Sequence, residues 1–331
     1  MTMLKLRTAR TLMLLSSLIM AFTAGVRAEG RAPWQDWQNT LQADHTLTGK
    51  IWSVREKRFV TPKRLADDLA SAKYVLIGET HDNADHHRLQ AWLIDQIAAR
   101  RKPAVVMEMI SLDQSKALEA YMARPDANAA GLGPALDWAK SGWPDWPLYQ
   151  PIAEAVFRAG LTLAPGNPSR DATRSISSDG LASLDGGKRK RLALDRPLAP
   201  KLGEALNQDI RESHCDLLPE AALGPMTQVQ RYRDAVLARA LVRAGNDAGA
   251  ILITGNGHAR ADRGVPWYLA RQEGRAKIST VMLVEIAEDA KTVEDLIVTG
   301  PDGAPAADYF WFTPRAERED QCEKLRKRFG K

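Results

Sequence analysis

Five short apolar runs punctuate the middle of the chain, each followed by a polar stretch. Tyr74-Val75-Leu76-Ile77-Gly78 is the first, and its lack of alternation marks a strand buried on both faces. Residues 104–109, 161–164, 250–254 and 278–286 repeat the pattern. After the first run, Asp82, Asn83 and Asp85 supply helix-start chemistry, and Leu89, Trp92, Leu93 and Ile97 recur at helical spacing. Further helices are expected over 62–70, 113–123, 152–159 and 267–271. Residues 51–54 and 58–61 suggest a hairpin, and 309–312 an edge strand. Strands alternating with helices predict an α/β fold: a largely parallel central sheet with helices on both faces. Residues 125–148 form a long insertion rich in Pro, Gly and Trp. Residues 169–245 are mostly helical, with a Gly/Lys/Arg break at 186–191, and are expected as a helical insertion over one end of the sheet.

The N-terminus is apolar for a different reason. Lys5, Arg7 and Arg10 precede an apolar stretch, 12–22, broken only by Ser16 and Ser17. Val26-Arg27-Ala28 then places small residues at −3 and −1 before Glu29. This is the order of a secretory signal over 1–28, too short for a stable membrane span. It leaves 29–331 as one expected domain. No cysteine lies near the expected cleavage point, so the product is expected to be soluble and periplasmic rather than lipid-anchored. Lys5, Arg7, Arg10 and Arg27 account for four of the five net positive charges. With the remainder close to neutral, there is no strong electrostatic case for nucleic acid. The basic runs 188–191 and 324–331 read as solvated faces. Cys215 and Cys322 are the two cysteines, and in an oxidising compartment a disulfide is the expected use of such a pair.

Polar residues gather where the apolar runs stop. The first run leads into Gly78-Glu79-Thr80-His81, the second ends in Glu108, and the fourth leads into Gly255-Asn256-Gly257-His258-Ala259-Arg260. Gly166-Asn167 is a weaker instance. In open parallel sheets, ligands bind outside the carboxyl ends of the strands, where the connection order reverses. These groups are therefore expected to converge on one crevice. Glu79 and His81 are two apart and share a direction on extended backbone. Each has a plainer use: a capped or salt-bridged carboxylate, or a helix-start histidine. His87 reads as part of the first helical turn, and His86 stays a weak candidate. His45 and His214 have no context that favours function. Gly255-x-Gly257 lacks the third glycine of a dinucleotide fingerprint, since Arg260 stands there. There is no P-loop, no Gly-x-Ser-x-Gly and no His-Glu-x-x-His. The absence of Cys-x-x-Cys-His excludes covalent c-type haem attachment.

Six segments in one order carry a resemblance: VLIGETHDNADHHRLQ (75–90), VVMEM (105–109), SGWPDWPLYQP (141–151), SHCDLLPEAALGPMTQVQRYRDA (213–235), GNGHARADRGVPWYL (255–269) and DYFWFTPRAERED (308–320). Over about residues 73–320 the chain resembles the ChaN family. That family is the haem-binding branch of a superfamily that includes the Tiki proteases and, more distantly, erythromycin-esterase-like proteins. The resemblance implies an α/β fold, an exported protein, and haem stacked in pairs between the subunits of a homodimer. It also implies a part in iron acquisition beside an outer-membrane haem-uptake system. Several family members are lipoproteins, which this chain does not match.

A haem slot needs apolar walls, an axial donor and cations for the propionates. Trp138, Trp143, Trp146, Tyr149 and Trp267 are candidate walls. His81, His258, Tyr149 and Tyr268 are candidate donors, and Arg260 and Arg263 candidate propionate partners. The alternative for 138–149 is an aromatic loop packed on the core, and for Arg263 an internal salt bridge. The rival function is a metal-dependent hydrolase, with Glu79, His81, Glu108 and His258 around zinc or another divalent ion. A haem-delivery protein without turnover is a third.

Overall fold

The computed structural model describes residues 31–245 and 247–329, so the expected signal segment lies outside the described residues. Eight strands form one sheet: β1 (Ile51–Ser53), β2 (Arg58–Val60), β3 (Tyr74–Glu79), β4 (Ala104–Ser111), β5 (Leu163–Asn167), β6 (Ala250–Gly255), β7 (Ile278–Glu285) and β8 (Tyr309–Thr313). Their order is β2-β1-β8-β7-β3-β6-β4-β5. The six strands from β8 to β5 run parallel, and β1 joins β8 antiparallel. The chain moves outward from β3 to β4 and β5, returns to β6 beside β3, then crosses to β7. The connection order therefore reverses between β3 and β6, and a crevice is expected at their carboxyl ends.

Alternation along each strand builds two cores. Val75, Ile77, Val105, Met107, Ile251 and Ile253 face one way, beneath the helices Ala84–Ala98 and Trp146–Ala159. Tyr74, Leu76, Ala104, Val106 and Leu252 face the other, against the helices Glu220–Ala244 and Val265–Glu273. The α/β fold with helices on both faces is as expected. Helices Arg170–Asp179 and Pro200–Ser213 occupy the expected helical insertion, and the expected break at 186–191 is instead the short helix Gly186–Arg191. Among the described residues, no helix is long and apolar enough to cross a membrane.

Two expectations change. Tyr309–Thr313 is not an edge strand: it lies between β7 and β1, with all five residues buried, because both of its faces are covered. The helix expected over 152–159 starts at Trp146. Pro147 suits its first turn, and Pro151 removes one intrahelical bond without ending it. The preceding insertion is itself ordered, as Ala129–Ala135 and Trp138–Lys140. Cys215 and Cys322 form a disulfide, with their Cα atoms 5.4 Å apart.

Candidate functional site

β3 ends in Glu79, and the chain turns sharply to present His81. Gly78 makes room for the next element: a Cβ there would meet Asn256 Oδ1 at 2.4 Å and Ala259 Cβ at 2.9 Å. The turn Asn256–Ala259 can therefore sit against β3 and bring His258 beside Glu108. The expected convergence of Glu79, His81, Glu108 and His258 is present, and helix Glu220–Ala244 adds Gln230, Arg233 and Asp234.

The four residues form two coupled clusters. Nδ1 of His81 lies 2.9 Å from Glu79 Oε1, while the Tyr149 hydroxyl donates to the His81 carbonyl at 3.1 Å. His87 Nε2 lies 2.9 Å from Glu79 Oε2, yet neither atom has a hydrogen-bond partner, so the contact is poorly aligned. Burial alone would raise the Glu79 carboxyl, but His87 and His81 overcome it and hold it down at about 2. Burial likewise opposes charge on His81, and Glu79 overrides it, raising the imidazole. With Nδ1 committed to a carboxylate, His81 Nε2 is the ring atom left to the crevice. It can lend a lone pair or take a proton. A Cβ on Gly255 would sit 2.8 Å from that nitrogen.

Glu108 is saturated. Oε1 accepts from Arg233 Nη2 at 2.7 Å and lies 3.3 Å from His258 Nε2. Oε2 accepts from Thr254 Oγ1 at 2.7 Å and the Gly255 amide at 2.8 Å. His258 Nδ1 is 2.6 Å from Asp234 Oδ1. Burial would discharge His258, but Glu108 and Asp234 outweigh it and raise the imidazole to about 9. His86 supports the His81 turn from beneath. Its Nδ1 accepts from the Thr80 amide at 2.9 Å, its Nε2 lies 2.8 Å from Thr313 Oγ1, and burial lowers it to about 3, keeping it neutral.

This pairing gives the metal alternative no support. Glu108 and His258 have their donor atoms turned to each other, to Asp234 and to Arg233. Among the described residues, no group of three or more His, Cys, Asp or Glu side chains is arranged to hold a metal ion. The remaining candidates divide by place. Arg260 is turned away to Asp262 and the Thr299 carbonyl. Arg263 reaches the crevice wall but is paired with Asp209 and Asp262, as its salt-bridge alternative held. Tyr149 and Tyr268 are sealed in the two cores, and the Tyr268 hydroxyl accepts from Arg231 Nε at 3.0 Å. Trp138 and Trp146 meet edge to face in the first core, 4.7 Å between ring centroids, which is the packed-loop alternative. Trp143 alone of the insertion's tryptophans touches a site histidine, 4.9 Å from the His81 ring.

Three hollows adjoin this region. The crevice over His81 and His258 is about 400 Å³ and is covered by Leu206 and Ile210 of helix Pro200–Ser213. Across helix Glu220–Ala244, a hollow of about 820 Å³ is lined by Met109, Leu136, Trp143, Val229 and Arg233. The third is a groove of about 490 Å³ where the same helix passes β5 and helix Gly186–Arg191. Its floor is Leu112, Ala164, Pro165, Leu192 and Val236, and its rim is Lys188, Arg191, Arg239 and Arg243. No carboxylate lines it, and none of the four cations pairs with an acid among the described residues.

Tyr232 lines that groove, and sequence reasoning missed it. Its side chain is 3% exposed, yet its hydroxyl has no hydrogen-bond partner among the described residues and is not sealed from solvent. Lys188 Nζ stands 5.9 Å above its ring. Open to the groove, this hydroxyl can donate to or accept from a ligand there. The signal was available: Tyr232, Val236, Arg239 and Arg243 recur at helical spacing within 213–245.

Comparison with known proteins bears on these hollows. The family described as haem-binding uptake, Tiki superfamily, ChaN matches residues 65–269. The structure of cofacial heme binding to ChaN of Campylobacter jejuni is similar, with a TM-score of 0.63 and 22% identity over 79% of this chain and 95% of that one. Weaker likenesses are the type III effector HopBA1 (TM-score 0.41, 12% identity, 76% and 91% covered) and an erythromycin esterase, EreC (0.40, 13%, 78% and 95%). No curated protein sequence matches. Since the family model spans more than half of its residues, the chain belongs to the ChaN haem-binding uptake family of the Tiki superfamily.

Proposed function

We propose that this protein binds haem in the groove at Tyr232, as an exported component of haem uptake. The unpartnered hydroxyl of Tyr232 is the observation that carries the reading. Tyrosinate is an established axial donor to haem iron. The groove has the other features such a ligand demands: an apolar floor, a volume within the range of small-molecule sites, and cations without acid partners. Arg239, Arg243, Arg191 and Lys188 would take the propionates through charge-assisted bonds, and Leu192 and Val236 would cover the ring faces from water. Bound haem would supply an iron that takes a side-chain oxygen donor. Tyr232 would offer that oxygen, the four cations would hold the carboxylates, and the apolar floor would limit solvent.

Among the candidate donors of the crevice, His81 keeps a ring nitrogen open to solvent, which makes the assignment testable. Hemin titration of the protein should give a saturable, shifted Soret band. Tyr232→Phe should remove the tyrosinate features and weaken binding by about tenfold or more, the loss of one strong charge-assisted interaction. His81→Ala should leave the spectrum unchanged. The reverse result, loss with His81→Ala and none with Tyr232→Phe, would move the donor to the crevice. Cofacial haem is described for the Campylobacter protein. In this chain a facing pair would need two copies meeting at the groove, so dimerisation should follow hemin. The disulfide supports an oxidising compartment such as the periplasm.

A further inference from the structure

The C-terminal segment ties together the two sides of the crevice, which the haem reading leaves unused. One side is the turn carrying His81. The other is the cover helix Pro200–Ser213, whose Leu206, Asp209, Ile210 and Ser213 line the hollow. Arg318 grips the first side: Nε donates to Asp82 Oδ2 at 2.9 Å and Nη2 to Asp82 Oδ1 at 2.8 Å, next to His81. The same guanidinium donates to both oxygens of Glu285, at the end of β7, at 2.7 Å each. Four residues on, Cys322 is bonded to Cys215, two residues past the end of the cover helix.

The cover helix has little else to hold it. Its apolar face makes a separate cluster of three buried residues, Leu206, Ile210 and Leu223, apart from the two sheet cores. Its polar ties to neighbouring elements are Arg263 to Asp209, Thr227 to Asn207 and the exposed pair Arg211 to Glu220. An element with so small a core is where local opening is least costly. We infer that residues 318–322 are a strap that holds the cover helix over His81, and that the disulfide is its releasable end. A dithiol reductant would open it. Its thiolate attacks one sulfur to form a mixed disulfide, and the other cysteine leaves as thiolate and takes a proton. The second reductant thiol then displaces the first cysteine, which leaves as a thiol while the reductant closes its own disulfide. Two electrons pass to the protein.

The test is amide exchange on the full chain at short labelling times, with the rate of His81 carbethoxylation by diethyl pyrocarbonate alongside. Cys215→Ser/Cys322→Ser should exchange about tenfold faster over 200–216, with helix Ala84–Ala98 unchanged, and His81 should react faster. Arg318→Ala keeps the disulfide but frees the strap's other anchor, so it should speed exchange over 80–83 and, to a smaller extent than the double variant, over 200–216. Wild-type protein treated with a dithiol should match the double variant, which covers the case in which that variant folds poorly. Unchanged exchange over 200–216, or acceleration spread equally into Ala84–Ala98, would overturn the strap.

Discussion

His258 meets one neutral partner, the Gln230 amide nitrogen 3.1 Å from Nδ1, but its charge is set elsewhere. Carboxylates approach both ring nitrogens, Glu108 at 3.3 Å and Asp234 at 2.6 Å, so it is held protonated in the folded chain and raised to about 9 from 6.5. A raised histidine contributes stability that is fully present below the unfolded value, near 6.5, and is lost as pH rises through about 9. Glu79 has the opposite sign: held near 2 rather than 4.5, its contribution is present above 4.5 and lost as pH falls through about 2. The cluster is therefore most stabilising between about 4.5 and 6.5. Denaturant unfolding at pH 6 and pH 10 checks this. The stability gap between wild type and His258→Gln should shrink by a few kcal/mol at the higher pH, since each pH unit between the folded and unfolded pKa corresponds to about 1.4 kcal/mol. Parallel behaviour at the two pH values would mean that His258 is not charged in the fold.

At the scale of elements, two glycines give a matched pair of experiments. Gly78→Ala drives a methyl into Asn256 and Ala259, so the turn Asn256–Ala259 must retreat from β3 and take His258 with it. Overpacking of that kind costs about 1–3 kcal/mol. Gly257, in the same turn, has open space for 4 Å around the place a methyl would take, and Gly257→Ala should be within about 0.5 kcal/mol of wild type. Equal effects in thermal melts would refute the packing argument. The strands and main helices were legible because their apolar runs and periodicity are strong. The run at Tyr309–Thr313 could show burial but not which strand would cover its flank, and β1 lies far away in sequence. Arg260 carried its own explanation, Asp262 two residues on, which pairs with it. His87 read as an ordinary first-turn residue because only the tertiary fold brings it to Glu79.

The whole molecule keeps two chemistries apart on one helix. Along Glu220–Ala244, Gln230, Arg233 and Asp234 serve the polar crevice and its neighbour, while Tyr232, Arg239 and Arg243 face the groove. Rotation of about 100° per residue is enough to separate adjacent positions into different hollows. A ligand in the groove bridges this helix to Gly186–Arg191 and the β5 edge, elements joined otherwise by modest apolar contact. It should therefore stabilise the fold by mass action: about 2.7 kcal/mol at a hundredfold excess over Kd. For a domain of this size that corresponds to a rise in Tm of roughly 4 °C. Hemin should produce the rise in wild type and in Glu79→Gln, whose change lies in the crevice. It should fail to do so in Arg239→Glu/Arg243→Glu, where the propionate partners are reversed in charge. A hemin-induced shift that survives in the groove variant and vanishes in Glu79→Gln would place the ligand over His81, with the crevice as the haem site and the groove as an unrelated basic face.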